Sequence, residues 1–272
     1  RAVRQFMLPL WNSYYFFTLH ANANNYQASF STSSEQILDR YLFGKLNQLI
    51  VELTEALDGF DSYRATNSLR DFGEVLTNWF IRRSRDRFWE GDEDAQDTLY
   101  TVLETLSRLS APMLPMVSEE IWQGLTGGRS VHLTDYPNAE DYPFEDDLVE
   151  SMDEIREIAS VGLALRKQAG LRVRLPLRKA VIASNNVAGI EPFVELIQDE
   201  LNLKGVELVP MSEETASRFG LVKQLNVNAR ALGPRIGSLV QQVLPRVSRA
   251  IGLRPMARWS PEALSWSREN TN

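Results

Sequence analysis

Cysteine is absent from these 272 residues, and histidine occurs only twice, as His20 and His132, far apart in the chain. The first absence excludes a disulfide framework, and the two together leave too few soft ligands for a structural zinc. Neither a run of about eighteen apolar residues nor an N-terminal segment of signal-peptide type occurs, so a soluble, cytoplasmic chain without membrane contact is expected. Internal repeats are also missing. What is present is enough apolar side chain, 43% of residues, to bury a sizeable core, which excludes disorder throughout.

A net charge of −7 speaks at first sight against nucleic acid, because basic surface supplies most of the affinity for phosphate. Distribution matters more than the total. Residues 135–157 hold ten acidic side chains and one basic, residues 159–190 hold six basic and no acid, and residues 215–261 carry only positive charge. A surface polarised in this way can hold RNA on one side and repel it on the other.

Helical spacing dominates the first half. Phe6, Leu10, Tyr14 and Phe17 recur at helical intervals over residues 1–25, until Asn22 to Asn25 break the pattern. Ser33 and Gln36 form a candidate capping box ahead of an i, i+3, i+4 stripe from Ile37 through Leu42, Leu46, Leu49 and Leu53 to Leu57, which Gly59 ends. A third helix is expected over residues 63–88 with Leu69, Phe72, Leu76, Trp79 and Phe80 inward. A fourth spans residues 94–110. Pro112 and Pro115 then punctuate the chain before a short helix bearing Ile121 and Trp122. Four or five such helices with short connections make an antiparallel bundle, in which Trp11, Trp79, Trp89 and Trp122 are expected in the core. Gly124 to Gly128 reads as a helix cap and turn rather than a phosphate loop.

The acidic, proline-bearing stretch after Asp135 reads as a surface linker. A helix over residues 148–169 follows, then a β-branched strand from Leu177 to Ala183, a helix over 191–202 and a strand from Gly205 to Val209. The fold class expected is therefore mainly α, a helical bundle followed by a smaller α/β module. Its boundaries are 1–137 for the bundle, 138–147 for the linker, 148–249 for the module and 250–272 for an irregular tail.

The most informative segment is Asn78-Trp79-Phe80-Ile81-Arg82-Arg83-Ser84-Arg85-Asp86-Arg87-Phe88-Trp89, which places four arginines between two aromatic pairs at a helix end. Guanidinium groups pair with phosphate in planar, bidentate fashion and stack on bases, while the flanking rings can anchor the helix. A solvated helix end whose arginines complement the helix dipole is an equal reading on chemistry alone. Residues 82, 85 and 86 share a face that 83 and 87 do not, so some of these arginines are expected to pair with carboxylates such as Glu74 or Asp86 and the rest to meet RNA. A second basic cluster comprises Arg166, Lys167, Arg172, Arg174, Arg178 and Lys179. Alternation with Val173 and Leu175 would put Arg172 and Arg174 on one face of an extended segment, either a basic RNA surface or a charged strand edge. Glu119 and Glu120 are expected to complement the dipole of a first helical turn, not to act as a catalytic pair, and His132 to be a hydrogen-bonded structural residue.

The arginine tract resembles a hallmark of the anticodon-binding helical domain of the isoleucyl-tRNA synthetase family, class I aminoacyl-tRNA synthetases. Collinear with it, Pro9-Leu10-Trp11-Asn12-Ser13-Tyr14 resembles the family's first helix, and Leu38-Asp39-Arg40-Tyr41 with Leu46-Asn47 the second. Ala111-Pro112-Met113-Leu114-Pro115 running to Ser118-Glu119-Glu120-Ile121-Trp122 resembles a later signature, and Ser130-Val131-His132-Leu133-Thr134-Asp135-Tyr136-Pro137 the segment after it. The likeness continues through Gly170 to Leu177 and Asn228 to Arg235, so it covers about residues 1–247 and fails after Arg249. A frameshift ahead of the tail would explain that failure, and little packed structure is expected there.

This resemblance implies binding of an isoleucine-accepting tRNA through Asn78, Arg82, Arg83, Arg85, Arg87, Arg166, Lys167, Arg172 and Arg174. It also implies a parent enzyme that uses ATP and magnesium, and covalent continuity with a catalytic domain. The His-Ile-Gly-His and Lys-Met-Ser-Lys-Ser type motifs of such a domain do not occur here, so catalytic residues and cofactors are expected to lie outside this chain. Lack of cysteine resembles the zinc-free, eukaryote-like branch. A valyl enzyme's related domain and a protein-binding helical scaffold remain as alternatives.

Overall fold

The computed structural model of the chain describes residues 3–212, 214 and 215. It divides into two compact units, Arg1–Arg156 and Glu157–Asn272. The first is helical. A π-helical turn, Val3–Met7, leads into α1 (Leu8–Asn24), followed by α2 (Ile37–Asp58) and α3 (Ser62–Glu74). A π-helical stretch, Val75–Ile81, joins α3 to α4 (Arg85–Glu90), and α5 (Glu93–Ser110), α6 (Pro115–Thr126) and α7 (Asp146–Gln168) complete the set.

The expected α2 stripe is the spine of the core. Leu42, Leu46, Leu49, Ile50 and Leu53 are buried, as is Tyr41, and the helix ends at Gly59. Its start differs from expectation. Gln36 occupies the cap position without a side-chain bond, and it is Ser34 whose hydroxyl donates, at 2.7 Å, to Asp39. The physical reason is Asp39 itself, a fully buried carboxylate in the first turn that draws in the nearest donor. Side chains of Asp61 and Asp92 cap α3 and α5 by accepting from the N–H groups of Arg64 and Ala95.

Helix α5 is the most enclosed element, although it carries many hydroxyls. Thr101, Thr105, Ser107 and Ser110 are all buried. Thr105, Ser107 and Ser110 donate to the carbonyls of Thr101, Leu103 and Leu106, four residues back, at 2.6–2.8 Å. Short side chains that satisfy themselves on their own helix let neighbouring helices approach it without leaving a polar group unpaired. Close approach also shapes the α2–α7 contact, where a Cβ on Gly44 would lie 2.6 Å from Val149 Cγ2.

The segment read as a linker is part of the helical unit. Asn47 donates to the carbonyls of Ala139 and Tyr142 at 2.7 and 2.9 Å, the buried Tyr142 hydroxyl meets Thr105 at 2.7 Å, and Arg40 pairs with Glu145. Acidic composition marked its surface without revealing these anchors. The division between units falls inside α7, at Arg156 and Glu157. Tryptophan placement also departs from expectation. Trp79 is buried, but Trp11 is 41% and Trp89 75% exposed.

The second unit contains a small βαβ arrangement, and the described residues as a whole are mainly α. Strand β1 (Ala180–Ser184) runs parallel to β2 (Val206–Pro210), in register from Ala180 opposite Val206 to Ser184 opposite Pro210. Parallel pairing requires a crossover, here made by α8 (Val187–Ile190), a 3-10 turn (Glu191–Phe193) and α9 (Val194–Leu201). Leu177, expected to open β1, makes only an isolated bridge to Leu203. Residues 228–235 and the tail from 250 lie outside the described residues.

Candidate nucleic-acid interface

The arginine tract straddles a discontinuity. Over Val75–Ile81 the helix widens into π-helical turns that bury Val75, Leu76, Trp79, Phe80 and Ile81, and it bends at the fully buried Ser84, whose ψ is 6°. After the bend α4 makes a short turn and a half and stops at Gly91, where φ is +77°, a conformation that costs glycine nothing.

This geometry sorts the arginines. Arg87 turns inward and grips Asp39 with both terminal nitrogens at 2.6 and 2.9 Å, while its Nε meets Asp92 at 2.8 Å. Its side chain is 20% exposed and that of Asp39 not at all. Burial alone would lower the guanidinium's pKa, but the two carboxylates outweigh it and the net shift is upward. Asp92 is held below the usual carboxylate range: burial pushes it up, and bonds from Arg87 and the N–H of Ala95 push it further down. Arg87 is thus a brace between α2, α4 and the start of α5, with each of its three nitrogens already donating to a carboxylate. Half-buried Arg83 lies over the Trp79 ring, 5.2 Å from the centroid.

Arg82 and Arg85 face solvent. Arg82 donates Nε to the Asn78 carbonyl at 2.8 Å, and the Asn78 amide donates to Glu74. Among the described residues Arg85 has no ion-pair partner. Trp89, one turn beyond Arg85, stands out on the same side of α4. Asn78, Arg82 and Arg85 therefore form an exposed set, with Arg83 and Arg87 turned toward the protein. The face predicted for 82 and 85 against 83 and 87 matches this sorting, whereas the Asp39 and Asp92 partners were not foreseen. The signal for Asp39 was a carboxylate at i−3 and i−7 from Leu42 and Leu46, on the apolar stripe of α2.

The second basic cluster sorts in a similar way within its own unit. Arg166 is 4% exposed, and its guanidinium donates to four carbonyls, those of Leu201, Arg172, Val173 and Leu175. It organises the loop after α7 and is not available to a phosphate, a correction to its expected role. The loop is not extended either. Leu175 N–H bonds back to Arg172 at 3.0 Å, closing a turn, because the buried guanidinium gathers its carbonyls inward. Lys167, Arg172 and Arg174 are exposed, and the two arginines with Gly170, Leu171 and Leu175 line an open depression of about 410 Å³. Lys179 pairs with Glu207.

Glu119 serves structure rather than a helix dipole. It lies in the second turn of α6, since Pro115 opens that helix, and accepts from Val131 N–H and Ser130 hydroxyl, each at 3.0 Å, and from Gln123 at 2.6 Å. Partial burial raises its pKa, but these donors outweigh it and the carboxyl falls below its usual range. His132 bonds through its ring to the Pro115 carbonyl at 3.3 Å. Among the described residues no helix is long and apolar enough to cross a membrane.

Comparison with known proteins bears on what this surface is for. Residues 39–181 match the family described as the anticodon-binding domain of tRNA ligase. The isoleucine–tRNA ligase of Leifsonia xyli subsp. xyli is 53% identical over 249 residues, covering 89% of this chain and 22% of that protein. Those of Corynebacterium efficiens and Mycobacterium tuberculosis are each 47% identical, covering 90% and 93% of this chain and 23% of theirs. The chain therefore spans less than a quarter of the length of these relatives.

Proposed function

Because the chain belongs to the family of anticodon-binding domains of tRNA ligases, we propose that it is the anticodon-arm-binding portion of an isoleucine–tRNA ligase. The observation that carries this reading is near-half or greater identity to isoleucine–tRNA ligases along about nine-tenths of the chain. A valyl enzyme is not favoured, since these relatives are all isoleucine–tRNA ligases.

In the parent, which would be cytoplasmic, ATP and magnesium would serve amino-acid activation in the catalytic domain, continuous with this chain, and that domain would join isoleucine to its tRNA. This portion contributes positioning. Holding the anticodon arm turns an encounter into a fixed placement of the distant acceptor end, so its contribution appears in tRNA charging more than in activation of the amino acid. Arg82, Arg85 and Asn78 supply the exposed face of the helical unit, and Lys167, Arg172 and Arg174 a second basic surface in the other unit. Support for phosphate contact comes from their exposure and charge.

The test is salt-dependent binding of an isoleucine-accepting tRNA to the full chain. Each phosphate contact removed should reduce the log–log salt slope by roughly 0.7 to 0.9. Arg82→Ala and Arg85→Ala are expected to weaken binding and flatten the slope by about one unit each. Unchanged affinity and slope in both variants would move the contact elsewhere on the chain.

A further inference from the structure

Trp89 is the outlying feature of the helical unit. An indole is large enough that burying it is strongly favourable, yet this one is 75% exposed, while Phe88 beside it is wholly buried. It is not a loosely held ring. The Trp89 and His20 rings meet edge to face, 5.3 Å between centroids and 88° between planes. His20 is in turn packed against Phe16 and Phe88 at 4.4 and 5.7 Å. The turn itself is pinned by Asn24, which donates to the Phe88 carbonyl at 3.1 Å, and by the left-handed Gly91. Burial, against a hydrogen bond to the Phe88 backbone, keeps His20 below the usual imidazole pKa, which favours the neutral ring beneath the indole.

Arg85 lies one turn before Trp89, on the same side of α4, while the exposed Asp86 and Glu90 stand about 100° round the helix. An open aromatic face held in advance by the protein core, with a cation one turn away on the same side, supplies the two elements by which proteins hold unpaired nucleotides: the ring stacks on the base and the guanidinium takes the adjoining phosphate. A closed duplex offers the phosphate without an accessible base face. We propose that Trp89 is a stacking platform for an unpaired nucleobase of the tRNA, with Arg85 on the neighbouring phosphate. This assignment rests on the tRNA-binding reading above, and it adds the feature of the RNA that the site selects, a base outside a helix.

The experiment compares two RNA probes on the full chain and on Trp89→Ala and Trp89→Phe. One probe is the anticodon stem–loop of an isoleucine-accepting tRNA, and the other a blunt duplex with the same number of phosphates. Because Trp89 is exposed, both variants are expected to keep the parent circular-dichroism spectrum. Stacking predicts that Trp89→Ala weakens stem–loop binding by roughly 5- to 150-fold and duplex binding by less than about twofold, with Trp89→Phe restoring most of the loss. Stem–loop binding should also quench wild-type tryptophan fluorescence by an increment that Trp89→Phe lacks. Equal binding of the stem–loop by wild type and Trp89→Ala would overturn the proposal. So would an equal loss on both probes, which would assign Trp89 to the general shape of the surface or to a protein contact. Failure of the wild-type chain to bind either probe would refute the tRNA-binding reading and this assignment with it, an outcome distinct from wild-type binding that ignores Trp89.

Discussion

Replacing Arg87 by alanine should cost the helical unit far more than replacing Arg85, although the two lie two residues apart in one basic tract. Arg87→Ala strands Asp39, which is fully buried and, among the described residues, would keep only the Ser34 hydroxyl, and also removes the ion-pair partner of Asp92. Removing one member of a buried ion pair typically costs about 3–5 kcal/mol. The Arg87 side chain retains 20% exposure, which admits some screening, so about 3 kcal/mol is expected. With an m-value of roughly 2 kcal/mol per molar urea, the midpoint of the helical circular-dichroism transition falls by about 1.5 M. Arg85→Ala, on an exposed side chain with no ion pair among the described residues, stays within roughly 0.5 kcal/mol. Neutralising the stranded carboxylate should repair part of the damage, so the Arg87→Ala/Asp39→Asn double variant is less destabilised than Arg87→Ala alone, and the double-mutant cycle is strongly non-additive. A loss below about 1 kcal/mol for Arg87→Ala, or additive single effects, would refute the brace.

Other predictions concern the rest of the molecule. Leu103, fully buried in α5, should lose about 2–5 kcal/mol of stability on truncation to alanine, and a melting temperature within a degree or two of the parent would contradict its place in the core. Arg166→Met removes the one guanidinium that gathers the carbonyls of Arg172, Val173 and Leu175, so trypsin should cleave after Arg172 and Arg174 several-fold faster, and an unchanged cleavage rate would count against the buried guanidinium as organiser. Asp153 is pulled down in pKa because, against the upward push of burial, it accepts from Lys45 and Tyr41, both at 2.6–2.8 Å. The unfolded chain then binds more protons between the two pKa values, so this stabilisation is complete above the unfolded value near 3.8 and drains away as pH falls through the folded one. Asp153→Asn should accordingly be less stable at pH 7 and lose less on going to pH 3, and parallel pH profiles for the two proteins would remove Asp153 from acid unfolding.

Residues that speak through local pattern were legible in the sequence. The α2 stripe, its end at Gly59, the inward Leu69, Phe72, Leu76 and Phe80, and the two strands follow from periodicity and β-branched content, since helix and strand facing are set over a few neighbouring residues. Arg87 was not legible, because its partner Asp39 lies 48 residues away and only folding brings the two together. The burial of Phe88 was hidden for another reason. A constant helical step from Leu69 would put Phe88 about 100° off the buried line, yet Phe88 is wholly buried, because the wide turns over Val75–Ile81 and the bend at Ser84 reset the helical phase. Arg166 reads as one more exposed cation until the loop that closes over it is in place. In both basic clusters, composition found the neighbourhood of the surface and burial decided which side chains belong to it.

Recognition of a tRNA anticodon arm is read directly from equilibrium binding by the purified full chain. Isoleucine-accepting tRNA, valine-accepting tRNA and an anticodon-swapped isoleucine-accepting tRNA are compared at two salt concentrations. Tighter binding of the isoleucine-accepting tRNA is expected, with a preference that is lost when its anticodon is swapped and a steep fall in affinity as salt rises. Equal, salt-insensitive binding of all three, or none by a chain with a folded circular-dichroism spectrum, would contradict it.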